Sequence, residues 1–318
     1  MIEPKGADQA FKGVMLAFAA FAAYAFSDAS VKMIHGALSP YQSSFIGAVF
    51  GLAGFPFLMK PGDRITDAFR TSNRALWLLR FVAQAAGTIG SVVAFTHLSM
   101  AEAFVLIFLL PCFVTIMSVV FLKEQVGIKR WSAVVIGFVG TLIVLRPGFR
   151  ELSIGHLGAV FGGLSGAISI ICYRAIGPTE KNISMYSAGV LGVLVICGVL
   201  MVADFRIPTS EQWLYLAGFG LLAALAAILL MKAANYAPAA MIGPTQYSQM
   251  IWAVLFGYLV FGDHVDLPML LGILLICGSG LLTLQRERVR NVPLPVAVAP
   301  DAQASAVIAP EASDQPKA

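Results

Sequence analysis

Runs of about twenty apolar residues recur along this chain from its first dozen residues to near position 285, and that recurrence constrains its fold more than any motif does. A helix of ~17–25 apolar residues crosses the ~30 Å hydrocarbon layer of a bilayer, satisfying its backbone groups internally. Composition agrees, with 58% hydrophobic and 12% charged residues, where a soluble domain carries about a quarter charged. So little polar surface cannot cover a soluble globule of 318 residues. The pattern predicts an all-α membrane protein with ten transmembrane helices, at roughly 12–35, 40–59, 75–98, 101–122, 131–146, 155–176, 183–204, 211–232, 239–261 and 267–285. Ser39-Pro40, Ser210-Glu211 and Leu267-Pro268 mark helix starts.

An even number of spans puts both termini on one side, and the basic residues choose it. With the termini inside, sixteen Lys and Arg fall in inner segments and three (Arg146, Arg150, Arg206) in outer loops. The excess predicts cytoplasmic termini in the cell inner membrane. The polar start, MIEPKGADQAFKG, leads into the first apolar run without a small-residue cleavage site, so that run is expected to remain a span. Residues 291–318, rich in Pro and Ala, read as a disordered cytoplasmic tail.

The chain also repeats itself. LSMAEAFVLIFLLPCFVTIMSVVFLKE, from Leu98, lies without gaps over APAAMIGPTQYSQMIWAVLFGYLVFGD, from Ala237. One residue later, WSAVVIGFVGTLIVL matches LGILLICGSGLLTL, pairing Gly140 with Gly280. Two halves follow, 11–147 and 155–287. Five spans is an odd number, so the second half must run inverted. KEQVGIKRW accordingly carries three basic residues, and its counterpart GDHVDLPML none. Inverted repeats of this kind serve alternating access, with a substrate site near the midplane between them.

From Phe11 to Arg288 the sequence resembles the drug/metabolite transporter superfamily, in its ten-helix EamA-type group. SMAEAFVLIFLLPCFVTIMSVVFLKEQVGIKRWSAVVIGFVGTLIVLRPG and NYAPAAMIGPTQYSQMIWAVLFGYLVFGD carry the likeness. The first stretch looks like the subgroup that includes bacterial riboflavin and S-adenosylmethionine carriers. Asp28, Lys32, Arg80 and Tyr173-Arg174 sit where that subgroup tends to place such residues. Asp263 departs from the Glu of many members, keeping the charge on a shorter arm. The resemblance implies a secondary transporter of a small metabolite: riboflavin or a related flavin first, then S-adenosylmethionine, then amino acids.

An ionisable residue at the centre of a span costs about 2.5–3.5 kcal/mol on insertion scales, so each needs a partner or a wet cavity. Asp28 and Lys32 are i, i+4 neighbours with the acid N-terminal, the favourable order. They are expected to pair with each other, either pinning the first helix or lining a cavity that meets substrate or a coupling proton. Arg80 either snorkels to the inner surface or offers its planar donors to a carbonyl or anion. Gln84 is one turn further in, on the same face. In IGPTQYSQMIW, Gly243-Pro244 can open the helix, and Gln246, Tyr247, Gln249 and Trp252 follow. Tyr247 and Trp252 are either aromatic walls for a planar solute or interhelical packing. Glu102 and Arg174 read as interfacial, and His35, His97, His156 and His264 as surface residues. Gly158, Gly162 and Gly166 form a small-residue ridge for close helix packing.

Cys112, Cys172, Cys197 and Cys277 are isolated in apolar runs and read as packing residues. No metal set, cofactor motif or P-loop is recognised, so energy is expected from a gradient or from the solute itself. No basic, aromatic-interleaved surface calls for nucleic acid. The partners predicted are a small-molecule substrate and the lipid bilayer, with the oligomeric state left open. An intramembrane enzyme would need clustered nucleophiles or paired aspartates within spans, and a channel would need polar residues ringing several helices. Neither pattern is found.

Overall fold

A computed structural model of the protein describes residues 4–59, 64–123, 126–145, 152–176, 181–234, 236–237, 242–264 and 266–290. The tail expected over 291–318 lies outside these residues, as do Glu124 and Arg150 and the side chains of Tyr173 and Arg174. Every regular element among the described residues is helical. In chain order the longer helices are α1 (Pro4–Lys32), α2 (Pro40–Gly51), α3 (Arg74–His97), α4 (Met100–Ile107), α5 (Leu110–Leu122) and α6 (Ile128–Leu145), with a short helical turn at Phe55–Leu58 between α2 and α3. There follow α7 (Ile154–Ile176), α8 (Asn182–Leu200), α9 (Ser210–Ala234), α10 (Ser248–Phe261) and α11 (Leu267–Arg290). Six candidate spans are long and apolar enough to cross a membrane, namely Gln9–Lys32, Arg74–His97, Met100–Leu122, Ile154–Cys172, Ile183–Asp204 and Ser210–Ala233. Val134–Val144 and Leu267–Gly278 are shorter apolar helices. This is a multi-pass helical membrane protein.

Local chemistry sets the breaks. Ser39 accepts from the Gln42 amide at 3.2 Å, with Pro40 at the first turn of α2, where a missing N–H costs no hydrogen bond. Asn73 caps α3 through the Leu76 amide at 3.2 Å, and Asp266 caps α11 through the Met269 amide at 3.0 Å. The fourth apolar run divides into α4 and α5 at Phe108-Leu109, just before Pro111, whose ring cannot continue the ladder. Gly243 to Tyr247 form a 3-10 turn that leads into α10, at the point where Gly-Pro was expected to disturb the helix.

Inside a bilayer, lipid tails are as apolar as leucine, so helices associate through close packing more than through the hydrophobic effect. α3 lies along α7 and α1 along α9; α3 also packs on α8, and α9 on α2. α6 pairs with α11, α2 touches α8, and α4 touches α10. Two glycines face each other where α3 crosses α7. A Cβ on Gly90 would stand 2.6 Å from the Gly158 carbonyl oxygen, and one on Gly158 would stand 2.5 Å from that of Gly90. Gly162 meets Ser91 on the same seam, and Gly163 packs against the Ile107 carbonyl, so the small-residue ridge of α7 does pack closely. Every residue of α4 is buried, as befits a helix apolar on all sides. Met100, Val105 and Leu106 of α4 anchor the larger core cluster, with Val31, Leu216 and Met250 from other helices.

The bundle has two distinct ends. One gathers the C-termini of α1, α3 and α10 with the N-termini of α4 and α7, since Lys32, Leu98, Met100 and Asp263 meet there. The other gathers the starts of α3 and α8 with a 3-10 strap, Ile65–Phe69, through Trp77–Ser184 and Asp67–Lys181 contacts.

Candidate functional site

Between α2, α3, α8 and α9 lies a partly open cleft with about 490 Å³ of empty space, some of it continuous with solvent. Gln84 and Thr88 enter from α3, Ser44 from α2, Tyr186 from α8, and Phe219 from α9. These positions are midway along their helices or nearer the strap end. The remaining lining is small or aliphatic, and no lining residue is acidic. Two polar atoms there, Ser44 Oγ and Gln84 Nε2, are buried without a hydrogen-bond partner among the described residues. A buried donor left unmade costs about 1–3 kcal/mol.

Arg80 is one turn below Gln84 and only 3% exposed, so it does not snorkel to a surface. Its Nε donates to the Met185 carbonyl at 2.6 Å, which draws the guanidinium across the α3–α8 seam. Gly189 leaves the room: a Cβ there would stand 3.4 Å from both Arg80 Nη2 and Gln84 Oε1. The guanidinium and the amide therefore lie near each other on the α3–α8 seam, where Gln84 lines the cleft and Arg80 stands behind it.

At the other end of the bundle the charges pair differently from the local expectation. Lys32 bridges to Asp263 at 3.3 Å, not to Asp28, and donates to the Leu98 carbonyl at 2.7 Å. Asp263 also accepts from the Met100 amide at 3.0 Å. The i, i+4 rule sees only one helix, whereas this pair joins α1 to the residue just past α10. Asp28 is half-buried on α1, one turn inward. Glu102 and His156 are a second correction. Both are buried, 8% and 7% exposed, and His156 Nε2 lies 3.2 Å from Glu102 Oε1. His35, His97 and His264 are exposed, as the sequence predicts. The signal for His156 was available in Ser153, three residues earlier, whose amide donates to His156 Nδ1 at 2.9 Å and fixes the ring at the start of α7.

Tyr247 and Trp252 do not share a wall. Tyr247 stacks on Phe108 at 5.7 Å between ring centres, against the α4–α5 break. Trp252 faces Phe26 of α1 at 6.0 Å and Phe256 at 5.8 Å. Five residues apart on a helical path, they point about 140° apart at ~100° per residue. Gln246 and Gln249 are buried, and Gln249 Nε2 lacks a partner among the described residues. Of the expected site residues the cleft lining includes Gln84 and none of Asp28, Lys32, Arg80, Gln246, Tyr247 or Trp252.

A cleft among four helices of a multi-pass bundle is a place where a membrane protein can hold a small solute. The family model for EamA-like transporters matches residues 11–146 and again 151–285, and the chain belongs to that family. A riboflavin transporter of Rhizobium johnstonii is 30% identical over 241 residues, 76% of this chain and 79% of that protein. An S-adenosylmethionine uptake transporter of Rickettsia bellii is 26% identical over 270 residues, 82% of this chain and 89% of that protein. A riboflavin transporter of Vibrio cholerae is 30% identical over 153 residues, which span 51% of its length. A solved crystal structure, 15% identical, superposes with a TM-score of 0.60 over 88% of this chain and 99% of its own, a likeness of fold alone. The family's activity is transport, not catalysis.

Proposed function

We propose that this protein carries a planar, neutral or anionic metabolite, riboflavin or a related flavin, across the inner membrane by alternating access of two inverted five-helix halves. The carrying observation is that Ser44 and Gln84, each with a buried polar atom unpartnered among the described residues, line a cleft to which both halves contribute. The halves, 11–147 and 155–287, supply ten spans, with both termini cytoplasmic by the sixteen-to-three excess of basic residues. Helix pairing supports the inversion. Exchanging first-half helices for second-half ones turns the α3–α7 contact into α9–α1 and the α3–α8 contact into α9–α2, while α6–α11, α2–α8 and α4–α10 map onto themselves.

The chemistry of the cleft favours the flavin over adenosylmethionine. A sulfonium and an ammonium call for carboxylates, and the described lining has none, while the buried Arg80 guanidinium behind Gln84 adds positive charge nearby. A flavin's imide edge offers a donor between two acceptors, which suits an amide and a guanidinium, and its flat ring suits the walls of Tyr186 and Phe219. The Lys32–Asp263 and Glu102–His156 pairs then close the outer end while the cleft occupies the inner half.

Solute counterflow in proteoliposomes tests this, with riboflavin, adenosylmethionine and amino acids run in parallel. Riboflavin should exchange selectively. Gln84→Ala should raise its half-saturating concentration about 10- to 100-fold, the worth of one or two buried hydrogen bonds. Arg80→Ala should reduce exchange at least as much, and Asp28→Asn should show whether that carboxyl takes part in coupling. Preferred exchange of adenosylmethionine would overturn the charge argument. Flavin exchange indifferent to Gln84 would remove the cleft as its site.

A further inference from the structure

The strap before α3 has two unlike faces. Inward, Asp67 Oδ2 accepts from Lys181 Nζ at 2.6 Å and from the Arg64 amide at 3.0 Å, and the Ser187 hydroxyl donates to the Ala68 carbonyl. Trp77, one turn into α3, donates its indole N–H to the Ser184 carbonyl at 3.2 Å. Three of these partners lie at the start of α8, whose next turns bring Tyr186 and Val190 to the cleft. Outward, Ile65 is 68% and Phe69 65% exposed, and Arg64, Arg70 and Arg74 are exposed beside them. The carboxylate within the strap, Asp67, is engaged by Lys181 at 2.6 Å and only distantly by Arg70 at 4.0 Å, and among the described residues Arg64 and Arg74 form no ion pair.

Bare isoleucine and phenylalanine among three arginines make a poor water-facing surface. They match the boundary of a bilayer, where apolar side chains reach the upper acyl chains and guanidinium groups meet phosphates in bidentate fashion. We propose that the strap from Arg64 to Arg74 binds the headgroup of an anionic phospholipid and so braces the start of α8 beside the cleft. The occupant is a lipid, because Ile65 and Phe69 have no use for a free phosphate. This inference concerns binding and stands independently of which solute is carried.

The test is thermal unfolding of the purified full chain in detergent micelles, titrated with dioleoylphosphatidylglycerol, dioleoylphosphatidylcholine or inorganic phosphate. Phosphatidylglycerol alone should raise Tm. Each arginine near an anionic lipid surface is worth about fivefold in affinity, so a variant carrying Arg64→Gln, Arg70→Gln and Arg74→Gln should need on the order of a hundredfold more lipid for the half-maximal rise. The corresponding Arg→Lys variant should keep the charge-driven part of the effect but bind more weakly than wild type, because an ammonium lacks the bidentate fork, and Ile65→Ser with Phe69→Ser should weaken it. If the triple variant fails to fold, Arg70→Gln alone, whose side chain is 80% exposed, should still shift the midpoint about fivefold. Equal stabilisation by phosphatidylcholine, or a phosphatidylglycerol response unchanged by the Gln substitutions, would overturn the proposal. So would stabilisation by inorganic phosphate alone, which would mark a soluble-anion site.

Discussion

Severing the Lys32–Asp263 bridge one side at a time, and then on both sides, isolates what the charges contribute. At 3.3 Å the gross attraction is about 5 kcal/mol at an effective dielectric of ~20. Desolvation offsets part of it, because the two side chains are only 11% and 18% exposed. Lys32→Met keeps the length of the side chain and removes the charge. Asp263→Asn keeps an oxygen to accept the Met100 amide, so the helix start stays capped while the charge is lost. Each single change strands the other partner's charge in a partly dry site and should cost about 3 kcal/mol, the low end for broken buried pairs. The double variant strands neither charge and should cost about the same as either single one. The two singles would therefore exceed the double by a coupling energy of about 3 kcal/mol. Equilibrium unfolding in mixed micelles, following helix content against denaturing detergent, measures all four corners of the cycle. Additivity within about 0.5 kcal/mol would refute the pair as an energetic contact and leave only its geometry.

The α3–α8 seam should be intolerant of a single methyl. On Gly192 a Cβ would overlap the Phe81 carbonyl oxygen and stand 2.7 Å from its carbon, so Gly192→Ala must push two helix backbones apart and should cost about 1–3 kcal/mol in the same unfolding assay. The strap should loosen in acid. The Lys181 ammonium, with the Arg64 amide, holds the Asp67 carboxyl below its ordinary value, so its contribution is complete above the unfolded-state pKa and fades as pH falls through the lower folded one. Limited proteolysis between residues 60 and 73 should accelerate over that acid range in the wild type. Asp67→Asn should be cleaved at the faster rate already at neutral pH, with the acid step gone.

Much of the fold was legible because its signals are local. Ser39-Pro40, Ser210 and Leu267-Pro268 mark where α2, α9 and α11 begin, and Pro111 and Gly243-Pro244 mark the breaks in their runs. Each depends on residues within one turn of itself. The ion pairs were not legible in the same way. Lys32 has an acid four residues back, yet its bridge is to Asp263, 231 positions on, because α1 and α10 pack together at that end. His156 read as a surface residue because the Ser153 cap fixes its ring at the start of α7 without revealing that this face meets Glu102. The candidate site divides along the same line: Arg80 and Gln84 share a helical face and do come together, whereas Ser44, Tyr186 and Phe219 join them only through tertiary packing.

The bridge at Lys32 also has a direction. Leu98 is the C-cap of α3 and offers a carbonyl, while Met100 begins α4 and offers an amide. Cation and anion each answer one lip of the same two-residue gap between helices, the arrangement that helix dipoles reward. Trading the two residues would conserve net charge and attraction, yet it would aim a carboxylate at a carbonyl and an ammonium at an N–H. The reciprocal exchange that rescues many salt bridges is thus closed to this one. Only replacements of the same sign, such as Glu for Asp263 or Arg for Lys32, keep cation on carbonyl and anion on amide, so this corner of the molecule fixes polarity more strictly than residue identity.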